Sequence, residues 1–316
     1  MRGARIGRWG RRLGITAVSL AAGVAAVEGI AAVRVHRLRA ERVPLDGRLY
    51  TEIRGQGDPI VFLAGLPGTT SYWGDAFDSL ARGHRLIFVD ALGFGHSPWP
   101  DAEYTLEDHL GALRRTLVAA GATRRVTLVG HSAGAILAAQ YAARFPGEVE
   151  RLYLLGTPVF HDRKEALARI REMSSTAGLF SLNPLLARES CKVHEAFSPA
   201  LARIVPLLVR RLPARIARGA MLHTWQSFDG TLRNVVLSQP IRIPLAGIGP
   251  RVTFIHGRAD GITPLERIHA LAAEEGSRVV ETGDEHLSYS FRNPGAIVEV
   301  IASPTGGSAP GPGVGR

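Results

Sequence analysis

The feature that most constrains this chain is a five-residue segment between a predicted strand and a predicted helix. Gly130-His131-Ser132-Ala133-Gly134 follows the apolar run 125–129 and leads into the alanine-rich stretch Ala133–Arg144. The run predicts a buried strand, and the stretch predicts a helix. Glycines around the turn between them leave room for a sharp bend, which exposes the serine at the end of a parallel sheet. We therefore predict that Ser132 is the nucleophile of a serine hydrolase.

The pentapeptide alone is weak evidence, because the chain contains 36 glycines and such a match arises easily by chance. Its position between a strand and a helix is much more specific. A serine hydroxyl is also a poor nucleophile unless a base takes its proton and an acid orients that base. The prediction therefore depends on finding both partners further along the chain.

The predicted acid is Asp260, on a short loop after a predicted strand that runs from Arg251 into Gly257. We expect a helix from Pro264 to Ala272 after this loop, with Thr263 as its N-cap, since proline is favoured at the first helical position. The alternative acid is Asp162, which follows the predicted strand 152–155. Both candidates come after Ser132 in the sequence, as the acid does in a hydrolase of this type.

The predicted base is His286, on a loop between a short strand at 278–281 and a helix near 293–301. It is the histidine that follows the last predicted strand, where the base of such a hydrolase stands. We interpret the other candidates as structural: two on the surface, one packed in a strand and one packed beside the serine, namely His84, His109, His256 and His131.

Two backbone amides are needed to stabilise the negative oxygen that forms during acyl transfer. Ala133 offers one, as the first residue of the predicted helix. The segment 59–70 predicts a strand that ends in a glycine-rich turn, and we expect the amide of Leu66 in that turn to be the second donor. A further predicted strand, 85–89, leads to Asp90, which we interpret as structural.

The chain resembles the α/β-hydrolase fold superfamily over roughly residues 45–301, in the branch of esterases and lipases. The resemblance is carried by the segments 64–68, 90–97 and 130–134 and by the loops of Asp260 and His286. It implies a mostly parallel, eight-stranded sheet flanked by helices, a helical cap inserted at about 157–240, and neither a cofactor nor a metal ion.

Other members of this superfamily catalyse other reactions, and the residues of this chain exclude some of these reactions and leave others open. Epoxide hydrolases and haloalkane dehalogenases use an aspartate nucleophile, so Ser132 argues against both. C–C hydrolases, cofactor-free perhydrolases and peptidases share the Ser-His-Asp arrangement and remain alternatives, as does a non-catalytic binding protein on the same fold. The chain departs from the usual pattern at Ala64, where the family has a histidine before the oxyanion glycine, and this puts the geometry of that loop in doubt.

The positive charge belongs mainly to the N-terminal segment. The formal net charge is +10, and residues 1–42 hold nine arginines against Glu28 and Glu41. The chain has no nucleic-acid recognition motif and no zinc-ligand spacing, so we expect no nucleic-acid partner.

Within residues 1–42, the apolar core 13–33 predicts a membrane-spanning helix or a signal sequence. We favour an uncleaved anchor, although Glu28 is costly in a membrane and arginines on both sides leave its orientation open.

Three further regions of the chain have informative sequences. The single cysteine, Cys191, excludes an intramolecular disulfide and is interpreted as a packed thiol. The predicted cap contains short helical patterns broken by prolines, and its segment 201–225 mixes apolar residues with five arginines. This segment is either a lid that rests on a membrane or favours acidic substrates, or an amphipathic cap with a solvated face. Residues 302–316 predict a disordered tail. The expected substrate is a small, apolar acyl compound; the oligomeric state stays open.

Overall fold

The fold is built on one sheet that the computed structural model describes strand by strand. The structure describes residues 3–42, 47–173, 183–238 and 251–303, with the backbone alone for 3–21. In these residues the sheet has seven strands in the order β1-β3-β2-β4-β5-β6-β7, and β1 alone is antiparallel to its neighbour. The strands are β1 Thr51–Arg54, β2 Asp58–Leu63, β3 His84–Val89, β4 Val126–His131, β5 Val149–Leu155, β6 Val252–Gly257 and β7 Arg278–Thr282.

The prediction of a mostly parallel sheet is confirmed, but eight strands were expected and seven are found in the described part of the chain. The first helix runs to Glu41, and the described residues 47–50 carry no strand assignment.

Helices cover both faces of the sheet, so its central strands are buried on both sides and read as continuous apolar runs. Along β2, Val61 and Leu63 pack into one apolar cluster, whereas Ile60 and Phe62 pack into the other. The helices are α1 Gly3–Glu41, α2 Leu106–Ala119, α3 Ala133–Arg144, α4 Arg163–Met173, α5 Pro184–Leu208, α6 Ala214–Gly219, α7 Trp225–Thr231, α8 Leu265–Glu275 and α9 Pro294–Ala302.

Helices α4 to α7 lie between β5 and β6, where the sequence predicted a helical cap. Parts of the predicted cap at 174–182 and 239–240 lie outside the described residues. Most of the predicted proline breaks are found. Pro184 begins α5, Pro213 directly precedes α6, and α5 is kinked at Phe197, two residues before Pro199. Pro206 lies inside α5 without such a kink. The five arginines between 201 and 225 are exposed.

Helix α1 contains the stretch 13–33, for which the sequence predicted a membrane-spanning helix or a signal sequence. Its described C-terminal half packs against α5. Glu28, which interrupts the apolar stretch, forms an ion pair with Arg188 of α5 at 2.8 Å, and Arg39 donates to Gln226 of α7 at 2.6 Å. Among the residues that the structure describes, no helix is both long enough and apolar enough to cross a membrane.

Two local predictions are wrong. Thr263 is not the N-cap of α8, which begins one residue later than expected. The hydroxyl of Thr263 instead donates to the carbonyl of Thr157 and accepts from the amide of Val159, which ties two loops together.

His109 is not a surface residue. It is 2% exposed, and its ring bonds to Thr231 of α7 at 3.0 Å. Both side chains found partners distant in sequence, which no local pattern predicts. The predicted tail lies outside the described residues from 304 onward.

Candidate active site

Ser132 lies on the sharp turn between β4 and α3. Its backbone angles are φ 52° and ψ −119°, a conformation that side-chain-bearing residues rarely adopt. The turn is possible because its flanks are glycine. A Cβ on Gly130 would lie 2.4 Å from the carbonyl oxygen of Gly134, and one on Gly134 would lie 2.2 Å from that of Leu63. The helix therefore approaches the sheet closely, with the serine at its tip.

The structure brings the three predicted side chains together, although 154 residues separate the first from the last. The Nε2 atom of His286 lies 2.9 Å from the Oγ atom of Ser132. On the other side of the ring, Nδ1 lies 3.0 Å from Oδ2 and 3.1 Å from Oδ1 of Asp260. Ser132 follows β4, Asp260 follows β6 and His286 follows β7, so all three stand at the same edge of the sheet.

The hydrogen bonds define which ring nitrogen can accept a proton. A carboxylate oxygen only accepts, so Nδ1 of His286 carries the hydrogen and donates to Asp260. Nε2 is then free to accept from the Ser132 hydroxyl. His286 is 6% exposed and Asp260 7% exposed, so water competes little with these bonds. The arrangement can remove a proton from the serine and hold the resulting positive charge next to a carboxylate.

Asp260 stays ionised in spite of its burial. Burial alone would raise the pKa of this carboxyl, but the charge and hydrogen bond of His286 outweigh it and hold the pKa well below its usual range. The amide of Ile262 donates to Oδ1 at 2.9 Å, and the hydroxyl of Tyr289 donates to Oδ2 at 2.8 Å. The carboxylate is therefore fixed in charge and in orientation.

The two predicted oxyanion donors belong to elements that meet at Ser132. The amide of Ala133 is in the first turn of α3, where helix amides have no carbonyl partner within the helix. The loop after β2 lies against the serine, since a Cβ on Gly65 would come within 2.8 Å of the Ser132 Cβ. Leu66 follows in this loop. The backbone of both elements thus borders the serine.

Asp90 has the structural role that the sequence suggested. Its side chain is fully buried, and it accepts from the amide of Thr70 at 2.6 Å and from the amide of His96 at 2.8 Å. These bonds fasten the loop after β2 to the loop after β3. Asp90 therefore shapes the rim around the serine through the backbone.

The alternative acid and base do not reach the serine's hydrogen-bond chain. Asp162 is exposed, and its carboxylate accepts from the amide of Glu165 at the start of α4. His256 is buried in β6 and donates from Nε2 to the carbonyl of Thr263 at 2.9 Å. Each of these side chains is instead bonded to backbone close to it in sequence.

Two further residues support this site: His131, which the sequence predicted to pack beside the serine, and Tyr289, which it did not assign. His131 is buried before the serine, and its Nε2 donates to the backbone carbonyl of His286 at 2.7 Å. It stacks on Tyr72, and burial, with the nearby His286, lowers the pKa of His131 to about 3. Tyr289 bonds both Asp260 and the amide of Gly257. Its position three residues after His286 is the one sequence signal, and it is too general to have been recognised.

Comparison with known proteins agrees with this architecture. The family model described as the alpha/beta hydrolase fold matches residues 58–292. A probable lysophospholipase of Arabidopsis thaliana, BODYGUARD 1, is 26% identical over 236 residues, which cover 66% of this chain and 50% of that protein. A haloalkane dehalogenase of Agrobacterium fabrum is 38% identical over 112 residues, 35% of this chain and 36% of that protein.

A solved structure shows a similar fold over a larger share of the chain. The esterase EaEST of Exiguobacterium antarcticum superposes with a TM-score of 0.59 at 21% identity, covering 81% of this chain and 94% of that one. The chain spans about half the length of the lysophospholipase relatives it matches. The family match covers most of the sheet and every strand that carries a predicted site residue. The chain therefore belongs to the alpha/beta hydrolase fold family.

Proposed function

We propose that the protein is a serine hydrolase that cleaves a carboxylic ester, or a related acyl compound, through an acyl-enzyme intermediate. The observation that carries the proposal is the continuous hydrogen-bond chain from Ser132 Oγ through His286 to Asp260, with heavy-atom distances of 2.9 and 3.0 Å. A serine in this chain has the base that nucleophilic attack requires, and the base has the carboxylate that fixes its tautomer.

In the proposed reaction, the Oγ of Ser132 attacks the acyl carbonyl carbon while its proton passes to Nε2 of His286. The amides of Leu66 and Ala133 stabilise the negative oxygen of the tetrahedral intermediate. His286 then gives the proton to the leaving alkoxide, so an alcohol departs and an acyl-serine remains. Water attacks this ester with His286 as the base, which releases the acid and restores the serine.

Two observations favour an apolar acyl substrate. Leu287, directly after the base in the sequence, is 40% exposed, and Leu66, within the loop that touches the serine, is half-buried. Related proteins carry names consistent with ester cleavage, a probable lysophospholipase and an esterase. The dehalogenase relative is a poorer guide to the reaction, because its similarity covers only 35% of this chain.

The proposal is tested by replacing the nucleophile. The full-length protein is labelled with a fluorophosphonate probe and assayed on p-nitrophenyl esters of increasing acyl length. Ser132→Ala should abolish labelling and lower turnover by at least about a thousandfold, since the residual rate comes from substrate binding and the oxyanion donors alone. The same change at an exposed serine, Ser79→Ala, controls for handling and folding. Equal ester turnover by folded Ser132→Ala protein and the parent would refute the proposal.

A further inference from the structure

A second cluster of polar side chains lies in the cap, apart from the serine. Cys191 and His194 belong to α5, and His223 belongs to the segment between α6 and α7. One ligand atom from each of the three lies within 4.8 Å of those of the others. All three side chains are buried, at 6%, 6% and 4% exposure. A thiol and two imidazoles so placed are the donor set that zinc prefers.

The backbone fixes the tautomer of both rings in the form that a metal ion needs. Nδ1 of His223 lies 2.9 Å from the carbonyl oxygen of Ala220, and Nε2 of His194 lies 3.0 Å from the carbonyl oxygen of His223. A carbonyl oxygen only accepts, so each of these nitrogens carries the hydrogen. The other nitrogen of each ring keeps its lone pair. Metal-binding histidines are typically held in this way by a carbonyl on the far side of the ring.

The spacing also fits. The Sγ atom of Cys191 lies 3.6 Å from Nε2 of His223. Tetrahedral Zn²⁺, with bonds of about 2.3 Å to sulfur and about 2.0–2.1 Å to nitrogen, separates such a pair of ligand atoms by about 3.6 Å. Cys191 and His194 are three residues apart on one helix and so share a face. The Cys191 and His223 atoms therefore lie at the distance that one ion would span, and the ligand atom of His194 lies within 4.8 Å of both.

A cleft of about 280 Å³ between α1 and the cap lies next to this cluster. Among the residues that line it are Lys192, Glu195 and Thr224, which are sequence neighbours of the three ligands. The carboxylate of Glu195 is buried and is held by Lys192 at 2.7 Å and by the amide of Trp225 at 2.7 Å. Lys192 balances the charge of this carboxylate, so the attraction for a cation comes from the three ligand side chains themselves.

We propose that Cys191, His194 and His223 form a binding site for Zn²⁺ in the cap. The thiol loses its proton to solvent when the sulfur binds the ion, and both imidazoles bind as neutral ligands. The ion joins α5 to the segment before α7. That segment is bonded to the loop after β3, through the bridge of His223 with Phe94 and the bond from the Gly95 amide to the Leu222 carbonyl. Bound zinc therefore fastens the cap to the rim of the sheet.

This site departs from the expectation of no metal ion, and the reason is its spacing. The pair Cys191 and His194 resembles half of a zinc motif, but the third ligand is 29 positions further on and stands alone. Sequence patterns recognise zinc sites by paired ligands at both ends. The third ligand becomes visible only when α5 and the segment before α7 pack together.

The test uses the full-length protein after dialysis against a chelator and titrates it with Co²⁺, which reports coordination by its absorption spectrum. Because the chain has one cysteine, a thiolate-to-cobalt charge-transfer band can arise only from Cys191. We expect one Co²⁺ per chain with this band, and its displacement by one equivalent of Zn²⁺. Absence of the band in the folded parent protein would overturn the proposal without any substitution.

Substitutions of the three ligands test which side chains bind the ion. Cys191→Ser should remove the band, and His194→Gln and His223→Gln should each weaken Zn²⁺ binding at least tenfold. The exposed His161→Gln and the active-site variant Ser132→Ala should bind as the parent does, which separates this proposal from the proposed hydrolase reaction. Fluorophosphonate labelling and circular dichroism check that each cap variant is folded. Unchanged Zn²⁺ affinity in folded Cys191→Ser protein would assign the ion to other residues and refute the site.

Discussion

His286, the predicted base, and His223 of the cap are buried to a similar degree but have different partners. His286 is 6% exposed and His223 4% exposed. The Nδ1 of His286 faces the carboxylate of Asp260 at 3.0 Å, whereas the Nδ1 of His223 faces the backbone carbonyl of Ala220 at 2.9 Å. The carboxylate stabilises a positively charged ring, but a neutral carbonyl compensates little of the cost of burying that charge.

The two partners therefore suit the rings to two kinds of chemistry. A ring beside a carboxylate can take a proton and return it, which a general base must do. Burial, with His194 close by, lowers the pKa of His223 well below its usual value, so that ring stays neutral and keeps a lone pair. A neutral imidazole packs, accepts hydrogen bonds or binds a metal ion. The hydrogen-bond partner of Nδ1, a carboxylate or a backbone carbonyl, therefore distinguishes the two rings.

The largest expected effect comes from removing the charge at Asp260. Asp260→Asn makes the partner of Nδ1 neutral and allows the wrong tautomer of His286, so we expect kcat for ester hydrolysis to fall by about 10³–10⁴. Steady-state kinetics with a p-nitrophenyl ester measure this fall. Asp162→Asn, at the exposed alternative acid, should leave kcat unchanged. A loss below tenfold at Asp260 would mean that the carboxylate is not what distinguishes the two rings.

The next effect concerns acid sensitivity and uses His109, a buried ring whose partner is the neutral side chain of Thr231. Burial lowers its pKa to about 4. Between about pH 6.5 and 4 the unfolded chain binds a proton at this position that the folded chain does not. This residue's contribution to the free energy of unfolding is therefore lost as the pH falls through that window, at up to about 1.4 kcal/mol per pH unit.

His109→Gln can keep a hydrogen bond to Thr231 but has no proton to take up. Urea unfolding at pH 7, 5.5 and 4.5 should give a shallower dependence on pH for the variant than for the parent. His161→Gln, at an exposed histidine, should retain the parent's slope. If the slopes of His109→Gln and the parent are equal, burial beside a neutral partner does not keep this ring uncharged.

A smaller effect is expected at Tyr289, which fixes the carboxylate and not the ring. Tyr289→Phe leaves the buried amide of Gly257 without its acceptor, so the free energy of unfolding should fall by about 1–2 kcal/mol. Since Asp260 still faces His286 with both oxygens, kcat should fall less than tenfold. Denaturant titration and ester kinetics measure the two quantities. A thousandfold loss of kcat would place Tyr289 in the reaction itself; Tyr50→Phe, at an exposed tyrosine, is the control.

The smallest effect compares two substitutions at the same position. Ser132 holds a positive φ of 52°, which glycine adopts freely and alanine does not. Ser132→Gly should therefore be more stable to urea than Ser132→Ala by about 1 kcal/mol, although both lack the hydroxyl. Part of this difference is the ordinary preference of a helix N-cap for glycine over alanine, and the positive φ adds to it. Equal midpoints would show that the turn carries no strain.

Much of the fold could be predicted from local patterns. The helix Ala133–Arg144 has the predicted bounds, because an alanine-rich run follows a glycine turn and ends before Phe145. The loops of Asp260 and His286 were located because each follows a β-branched strand. The roles of Ser132, Asp260 and His286 stay predictions, but the geometry that those roles require is present.

What could not be predicted depends on contacts between distant segments. The burial of His109 arises only where α2 meets α7, and the bond from His131 to the carbonyl of His286 spans 155 positions. Thr263 was expected to cap its own helix but instead joins the loop at Thr157. In each case one polar side chain could form its hydrogen bond with a nearby or with a distant partner, and tertiary packing decides between the two.

The packing of the first helix on the cap has a mechanical consequence. Glu28 is tied to Arg188 of α5, and Arg39 is tied to Gln226 of α7, so the first helix grips two separate parts of the cap. A displacement of that helix would therefore act on α5 and α7 together. It would also act on the segment between α6 and α7, which is bonded to the loop after β3.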